Sequence, residues 1–261
     1  ARSSALPVGK GIDSKQLIAE LFPFPPTGAQ SRVVGETVRD MARSEPMARL
    51  LQGDVGSGKT AVAAAACLAA VRAKCQAAVV APTEILAEQH YRNFTRMLTK
   101  LGVVTDLVTG KLTPRERASA LGRLQQGVTD VVIGTHAVLQ EGVEFKKLAL
   151  AVIDEQHRFG VEQRAMLRSK GPHVGTVELV PHLLVMTATP IPRTLALTLY
   201  GDLDVSVLNE MPPGRKPIVT HLVTPKQHTG ALRAIHDALA RGRQVYVVYP
   251  LVEESEKSDL L

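Results

Sequence analysis

The segment Gly53-Asp54-Val55-Gly56-Ser57-Gly58-Lys59-Thr60 constrains this chain more than any other. It fits the pattern G-x-x-x-x-G-K-[ST] and stands where that pattern has meaning. The short apolar run Leu50 to Gln52 precedes it, and an Ala-rich stretch that reads as a helix follows. The glycines let backbone N–H groups turn inward, and the helix N-terminus adds the positive end of its dipole. Such a loop cradles a phosphate chain. Lys59 would reach the β- and γ-phosphates, and Thr60 would place its hydroxyl on Mg2+. Gly53, Gly56, Ser57, Gly58, Lys59 and Thr60 are the first candidate binding residues.

The rest of the chain alternates in the same way. Leu50–Gln52, Ala77–Ala81, Val103–Val108, Val131–Ile133, Ala149–Ile153 and Leu183–Met186 predict short strands, apolar on both faces. Residues 28–43, 59–73, 84–101 and 114–126 carry helical patterns, with Thr27 as N-cap of the first. This alternation predicts an α/β fold with a doubly wound parallel sheet. The division expected is a mixed lead-in or linker segment over 1–26, with Pro23, Pro25 and Pro26 excluding a helix at its end over 22–26, and a main domain over 27–211. A Pro- and Gly-rich linker follows over 212–217, and then a new β-α-β pattern over 218–261. Its strands fall at Ile218–Val223 and Gln244–Tyr249, too short a stretch for a full domain.

Composition narrows the function classes. At 261 residues, 45% apolar and 21% charged, the chain can bury a core without disulfides or metal, and wholesale disorder is excluded. A net charge of +6 permits a polyanionic partner without requiring one. Only 3% of residues are aromatic and none is Trp, which argues against a single-strand binder built on stacked aromatic platforms. Cys67 and Cys75 have neither CxxC spacing nor His neighbours, so a disulfide framework and a zinc site are both unsupported, and a reducing cytosol fits. Ala61–Val71, the longest apolar candidate, falls short of the roughly 18 residues of a membrane span. Arg115, Arg117 and Arg123, with Glu116 on the same predicted helix, read as a solvated face rather than a nucleic-acid groove.

A second chemical signal is Val152-Ile153-Asp154-Glu155-Gln156-His157. An acidic pair at the end of an apolar strand suits phosphate transfer. Asp154 would hold Mg2+ through its water shell, and Glu155 would polarise the attacking water.

Together these boxes resemble those of superfamily 2 nucleic-acid motors, which are RecA-like phosphate-loop NTPases. Asp154-Glu155-Gln156-His157 is similar to their Walker B box, and Ala81–Gln89 to their motif Ia. Thr109-Gly110-Lys111 and Gly134-Thr135-His136 resemble their strand-end loops. Thr187-Ala188-Thr189-Pro190 resembles motif III, and Pro25–Gln30 the adenine-reading Q-type segment. The finer text of Gly53–Thr60, Asp154–Gly160 and Thr187–Ala196 resembles the RecG family of branched-DNA helicases and translocases. Pro212–Arg215 and Leu251–Glu256 resemble that family as well. The transcription–repair coupling translocases of the Mfd type are the nearest rival. There Phe is expected in place of Ser57 and Glu in place of Gln156.

The resemblance implies ATP and Mg2+ as cofactors and duplex or branched DNA, not a membrane, as partner. It implies that Gln30 reads the adenine edge, with Phe24 as a neighbour. Lys59, Asp154, Glu155 and His157 form the catalytic set, and Gln156 and His157 link it to the motif III strand. Thr187 and Thr189 relay nucleotide state to the DNA. Pro82, Thr83, Gly110, Gly134 and Thr135 contact the DNA backbone, and Arg193 is a further motif III-associated residue. It also implies a second RecA-like lobe carrying catalytic arginines, a wedge domain N-terminal to this span, and a bacterial cytoplasmic, nucleoid-associated setting. The alternatives are an Mfd-like translocase, a non-catalytic nucleotide- or DNA-binding module, and a metabolic phosphate-loop kinase.

Overall fold

The computed structural model describes residues 4–140, 142–154, 166–167, 169–174, 177–189, 203–212, 219–224 and 228–248. The chain divides into two units, Ala1–Arg215 and Lys216–Leu261.

The first unit is built on a sheet of seven parallel strands. Its elements are α1 (Ser14–Leu21), α2 (Gly28–Met41), β1 (Ala48–Gly53), α3 (Lys59–Arg72), β2 (Gln76–Val80), α4 (Glu84–Leu98), β3 (Thr105–Val108), α5 (Pro114–Gln126), β4 (Val131–Gly134) and β5 (Leu148–Asp154). A two-stranded antiparallel pair, β6 (His173–Val174) and β7 (Val177–Glu178), precedes β8 (His182–Thr187) and β9 (Asp204–Leu208). The sheet order is β3-β4-β2-β5-β8-β1-β9.

The strands carry apolar residues on both faces because both faces are covered. Leu51, Ala77, Val79, Ile133 and Val152 join a core cluster with α1, α2 and α3. Their chain neighbours Leu50, Ala78, Val80, Val132 and Ile153 join a second cluster that includes Ala120 and Leu124 of α5. A strand's side chains alternate in direction, so this split is what a doubly wound sheet requires. Helix α3 is the centre of the first cluster. Every residue from Ala61 to Ala70 is buried, and its alanines allow close approach of α1, α2 and α4. A helix apolar all round belongs in an interior.

Helix starts follow local chemistry. Thr27 and Thr113 each form a capping box with the Gln30 and Glu116 side chains. Thr83 caps α4 by accepting from Leu86 N at 3.3 Å.

The first unit departs from the sequence expectation in its lead-in segment and at its sheet edge. The lead-in segment contains α1, whose Leu17, Ile18 and Leu21 are buried against α2 and α3. Strand β9 had no apolar-run signal, because its burial alternates as an edge strand's does. Buried Arg49 of β1 anchors β9 to α2, donating to Asp40 Oδ2 from Nε at 3.0 Å and to Ser206 Oγ at 2.6 Å.

In the second unit, α6 (His228–Ala240) forms within the helix expected there. The strands expected on either side do not appear among residues 219–224 and 243–248. Leu222, Tyr246 and Val248 are almost fully exposed. A strand is stabilised by its ladder, and no described residue offers these segments one.

Candidate functional site

The phosphate loop leaves the carboxyl end of β1 and runs into α3. Gly56 and Gly58 hold positive φ of 84° and 94°, in the left-handed region where glycine carries no penalty. A Cβ on Gly58 would also lie 2.2 Å from Gln30 Nε2. Lys59 Nζ donates to Gly53 O at 2.6 Å and to Asp54 O at 3.0 Å. The ammonium thus folds onto carbonyls of its own loop. A phosphate chain offers it stronger, charged acceptors.

Gln30 supports the loop from below. Its Oε1 accepts from Thr27 N at 3.0 Å, and its Nε2 donates to Ser57 O at 2.8 Å. The residue is fully buried. Reading an adenine edge therefore requires the amide to release Ser57 or to use its second N–H. The Ser57 hydroxyl is buried without a hydrogen-bond partner among the described residues and packs over Gly53, so Ser57 serves the loop through its backbone.

Asp154 ends β5. The register pairs it with Met186 of β8, and Gln52 of β1 pairs with Thr187 of β8. The ends of β5, β8 and β1 are therefore neighbours, with the phosphate loop and the carboxylate on either side of β8. Ligands of open α/β sheets bind at this edge. Thr187 is buried, and its Oγ1 meets Thr189 Oγ1 at 2.9 Å and accepts from Thr189 N at 3.2 Å. The two threonines of the expected relay are thus in direct contact.

The remaining strand-end residues occupy the other half of the same edge. Pro82 and Thr83 follow β2, Gly110 follows β3, and Gly134 and Thr135 close β4, and these three strands are contiguous in the sheet. A Cβ on Gly134 would lie 2.1 Å from Val108 O, so only glycine allows β3 and β4 to converge there. Lys111, beside Gly110, bonds Glu88 Oε1 at 2.9 Å and thereby ties this loop to α4. Sheet order thus separates a phosphate-facing half from a half rich in backbone turns.

The structure adds two histidines that no spacing pattern marks. His90 of α4 bonds the Asp154 carboxylate, Nε2 to Oδ2 at 2.6 Å. His182 at the start of β8 is fully buried, accepts from Met47 N at 2.9 Å through Nδ1, and donates to Leu6 O at 2.6 Å through Nε2. Burial holds its pKa below the ordinary histidine value, against the opposing pull of the Leu6 carbonyl and of Asp40. Burial also pushes the Cys67 thiol far up, and that of Cys75 up despite Lys147 beside it. Neither thiol is set up as a nucleophile. Arg123 pairs with Asp106 of β3 at 2.6 Å and is engaged on its own unit. Glu155, Gln156, His157 and Arg193 lie outside the described residues.

Thr60 and Asp154 offer hard oxygen donors. Mg2+ typically takes one or two protein carboxylates and completes its shell with water and substrate phosphates, so this small donor set fits it. No cluster of three or more His, Cys, Asp or Glu capable of holding a metal occurs among the described residues. No helix among them is long and apolar enough to cross a membrane.

Residues 27–198 match the DEAD/DEAH box helicases. The chain belongs to the DEAD/DEAH box helicase family. Membership implies use of ATP with a divalent metal. The chain is 52% identical over 95% of its length to the ATP-dependent DNA helicase RecG of Aquifex aeolicus, and covers 31% of that protein. It is 48% identical over 98% of its length to the Escherichia coli K12 RecG, and covers 36% of it. A solved structure of RecG bound to a three-way DNA junction superposes with a TM-score of 0.80 at 43% identity. That match covers 95% of this helicase chain and 32% of the other. The chain thus spans about a third of the curated relatives it matches.

Proposed function

We propose that this chain is the ATP-binding motor lobe of an ATP-dependent DNA helicase or translocase of RecG type, which remodels branched DNA such as stalled forks and junctions in recombination and repair. The observation that carries this reading is the split carboxyl edge of the sheet. A phosphate loop and a carboxylate flank β8, while the backbone turns at Thr83, Gly110 and Gly134 occupy the contiguous half. Both ligands of a DNA motor can meet one rigid sheet there. The RecG similarity, including a relative bound to a three-way junction, favours branched DNA over the RNA polymerase partner of an Mfd-type motor.

In this reading Gly56, Gly58 and Lys59 hold the phosphates, and Thr60 and Asp154 hold Mg2+, which supplies charge neutralisation on the phosphate oxygens. Glu155 orients the attacking water. Gln156, His157, Thr187 and Thr189 pass nucleotide state across β8, with Arg193 assisting. Pro82, Thr83, Gly110, Gly134 and Thr135 contact the DNA backbone, which carries no direct sequence information and suits movement along any sequence. Residues 218–261 begin a second RecA-like lobe, which supplies arginine fingers, and an N-terminal wedge engages the junction. An arginine finger is worth about 10³–10⁵ in turnover. The setting is the bacterial cytoplasm.

Steady-state ATP hydrolysis with and without forked DNA tests the proposal, with Lys59→Ala as blank. The full-length protein should show DNA-stimulated turnover that Lys59→Ala abolishes, and the 261-residue chain should stay at the level of the blank. Turnover of the full-length protein indifferent to forked DNA would remove the DNA-motor reading. Retained turnover in Lys59→Ala would remove the phosphate-loop assignment.

A further inference from the structure

His90 and His182 are the two buried histidines whose ring contacts are fully described, and they differ in a telling way. His182 has both ring nitrogens satisfied, as a histidine that only fills and staples a core does. His90 does not. Its Nε2 meets Asp154 Oδ2 at 2.6 Å, with both side chains largely buried, while Nδ1 is buried without a hydrogen-bond partner among the described residues. The ring stands edge-on to fully buried Phe94, centroid to centroid 6.1 Å. One side of the ring is thus fixed by packing, and its only polar contact among the described residues is the carboxylate. Leaving a buried polar atom unpaired costs about 1–3 kcal/mol. Phenylalanine or leucine would fill the same space without that cost. The ring nitrogen is therefore present for Asp154, not for the core.

The effect on Asp154 follows from the geometry. A carboxylate at a strand end can rotate about its side-chain bonds. Occupation of Oδ2 by a fixed ring selects one orientation. It leaves Oδ1, which takes no hydrogen bond from the described residues, as the face open to a cation's shell. We propose that His90 is a positioning residue for the metal carboxylate: its Nε2 holds Asp154 in the orientation that binds the divalent cation through Oδ1. This rests on the reading of Asp154 as the Mg2+ carboxylate. It adds to that site a residue on α4, outside the strand-end boxes.

The test uses the full-length protein and four forms: unchanged, His90→Leu, His90→Gln and Asp154→Asn. Mn2+ binding to the ADP complex is read by electron paramagnetic resonance of free Mn2+, with ADP affinity without metal measured in parallel. Loss of a partner behind a metal ligand typically costs about 10–100-fold in metal affinity. His90→Leu should weaken Mn2+ by about tenfold or more and leave metal-free ADP binding unchanged. His90→Gln, whose amide can donate from nearly the same place, should recover most of the loss. Native Mn2+ affinity in His90→Leu, with Asp154→Asn weakened, would overturn the positioning role alone. Native affinity in Asp154→Asn would overturn the metal reading and this proposal with it. If His90→Leu does not fold, the comparison of His90→Gln with His90→Asn decides. The shorter Asn amide should bind Mn2+ more weakly than Gln, and equal affinities would overturn the proposal.

Discussion

At the scale of single residues, chemistry visible in the sequence and chemistry created by folding meet at one sheet edge. Lys59, Thr60 and Asp154 were legible because their motifs fix both residue type and local geometry. His90 and His182 were not, because each acts through a partner far away in sequence, Asp154 in one case and Met47 and Leu6 in the other. Gln30 falls in a segment the sequence singles out, but its bond to Ser57 O depends on how α2 docks beneath the loop. His182 leads to a prediction. Its folded pKa lies below the ~6.5 of an unfolded histidine. Below that pH the unfolded chain binds the proton more readily, so the neutral form's contribution is complete above about 6.5 and is lost as pH falls through the folded value. Protonation removes the Nδ1 lone pair that accepts from Met47 N. The urea midpoint should therefore drop between pH 7.5 and pH 5.5. The drop should be smaller in His182→Asn, which keeps an acceptor but does not titrate. Equal drops in both proteins would show that other groups set the acid sensitivity.

At the scale of elements, periodicity served well where both faces of a strand are buried and less well elsewhere. Strands β1, β2, β4, β5 and β8 were found within a residue or two, because parallel strands under two helical layers must be apolar throughout. The edge strand β9 was hidden by its alternation, and α1 by its brevity and by the prolines that follow it. The strands expected beside α6 show the opposite failure: an apolar run does not by itself supply a ladder. Helix α3 gives the sharpest element-level prediction. Its alanines are small because α1, α2, α4 and the sheet all close on them, and Ala65 is fully buried. Ala65→Leu should cost about 1–3 kcal/mol through overpacking, read from urea unfolding of the chain. A change within error would mean that α3 has room that the packing denies.

At the scale of the whole molecule, sheet order turns separate motifs into a site. The chain visits β1 and β2 in succession, yet β5 and β8 stand between them in the sheet. The carboxylate at the end of β5 and Thr187 at the end of β8 are thereby delivered to the phosphate loop, while the turns after β2, β3 and β4 form the adjoining half. A surface that holds DNA by its phosphates releases counterions when it binds. Binding of the full-length protein to forked duplex should therefore weaken steeply between 50 and 200 mM salt, linearly in logarithmic coordinates, the slope giving the number of phosphates engaged. A flat dependence, measured by fluorescence anisotropy, would exclude this edge as a backbone-contacting groove.

The sequence alone determined the alternation of strands and helices, the phosphate loop, the acidic strand end and the family resemblance. All of these are set by residues close together along the chain, where spacing and side-chain type suffice. Tertiary structure decided that α1 belongs to the core, that β9 completes the sheet, that Gln30 braces the phosphate loop and that His90 grips Asp154. Each of these depends on contacts between distant segments, whose geometry comes from the packing of the whole sheet and its two helical layers rather than from any local pattern.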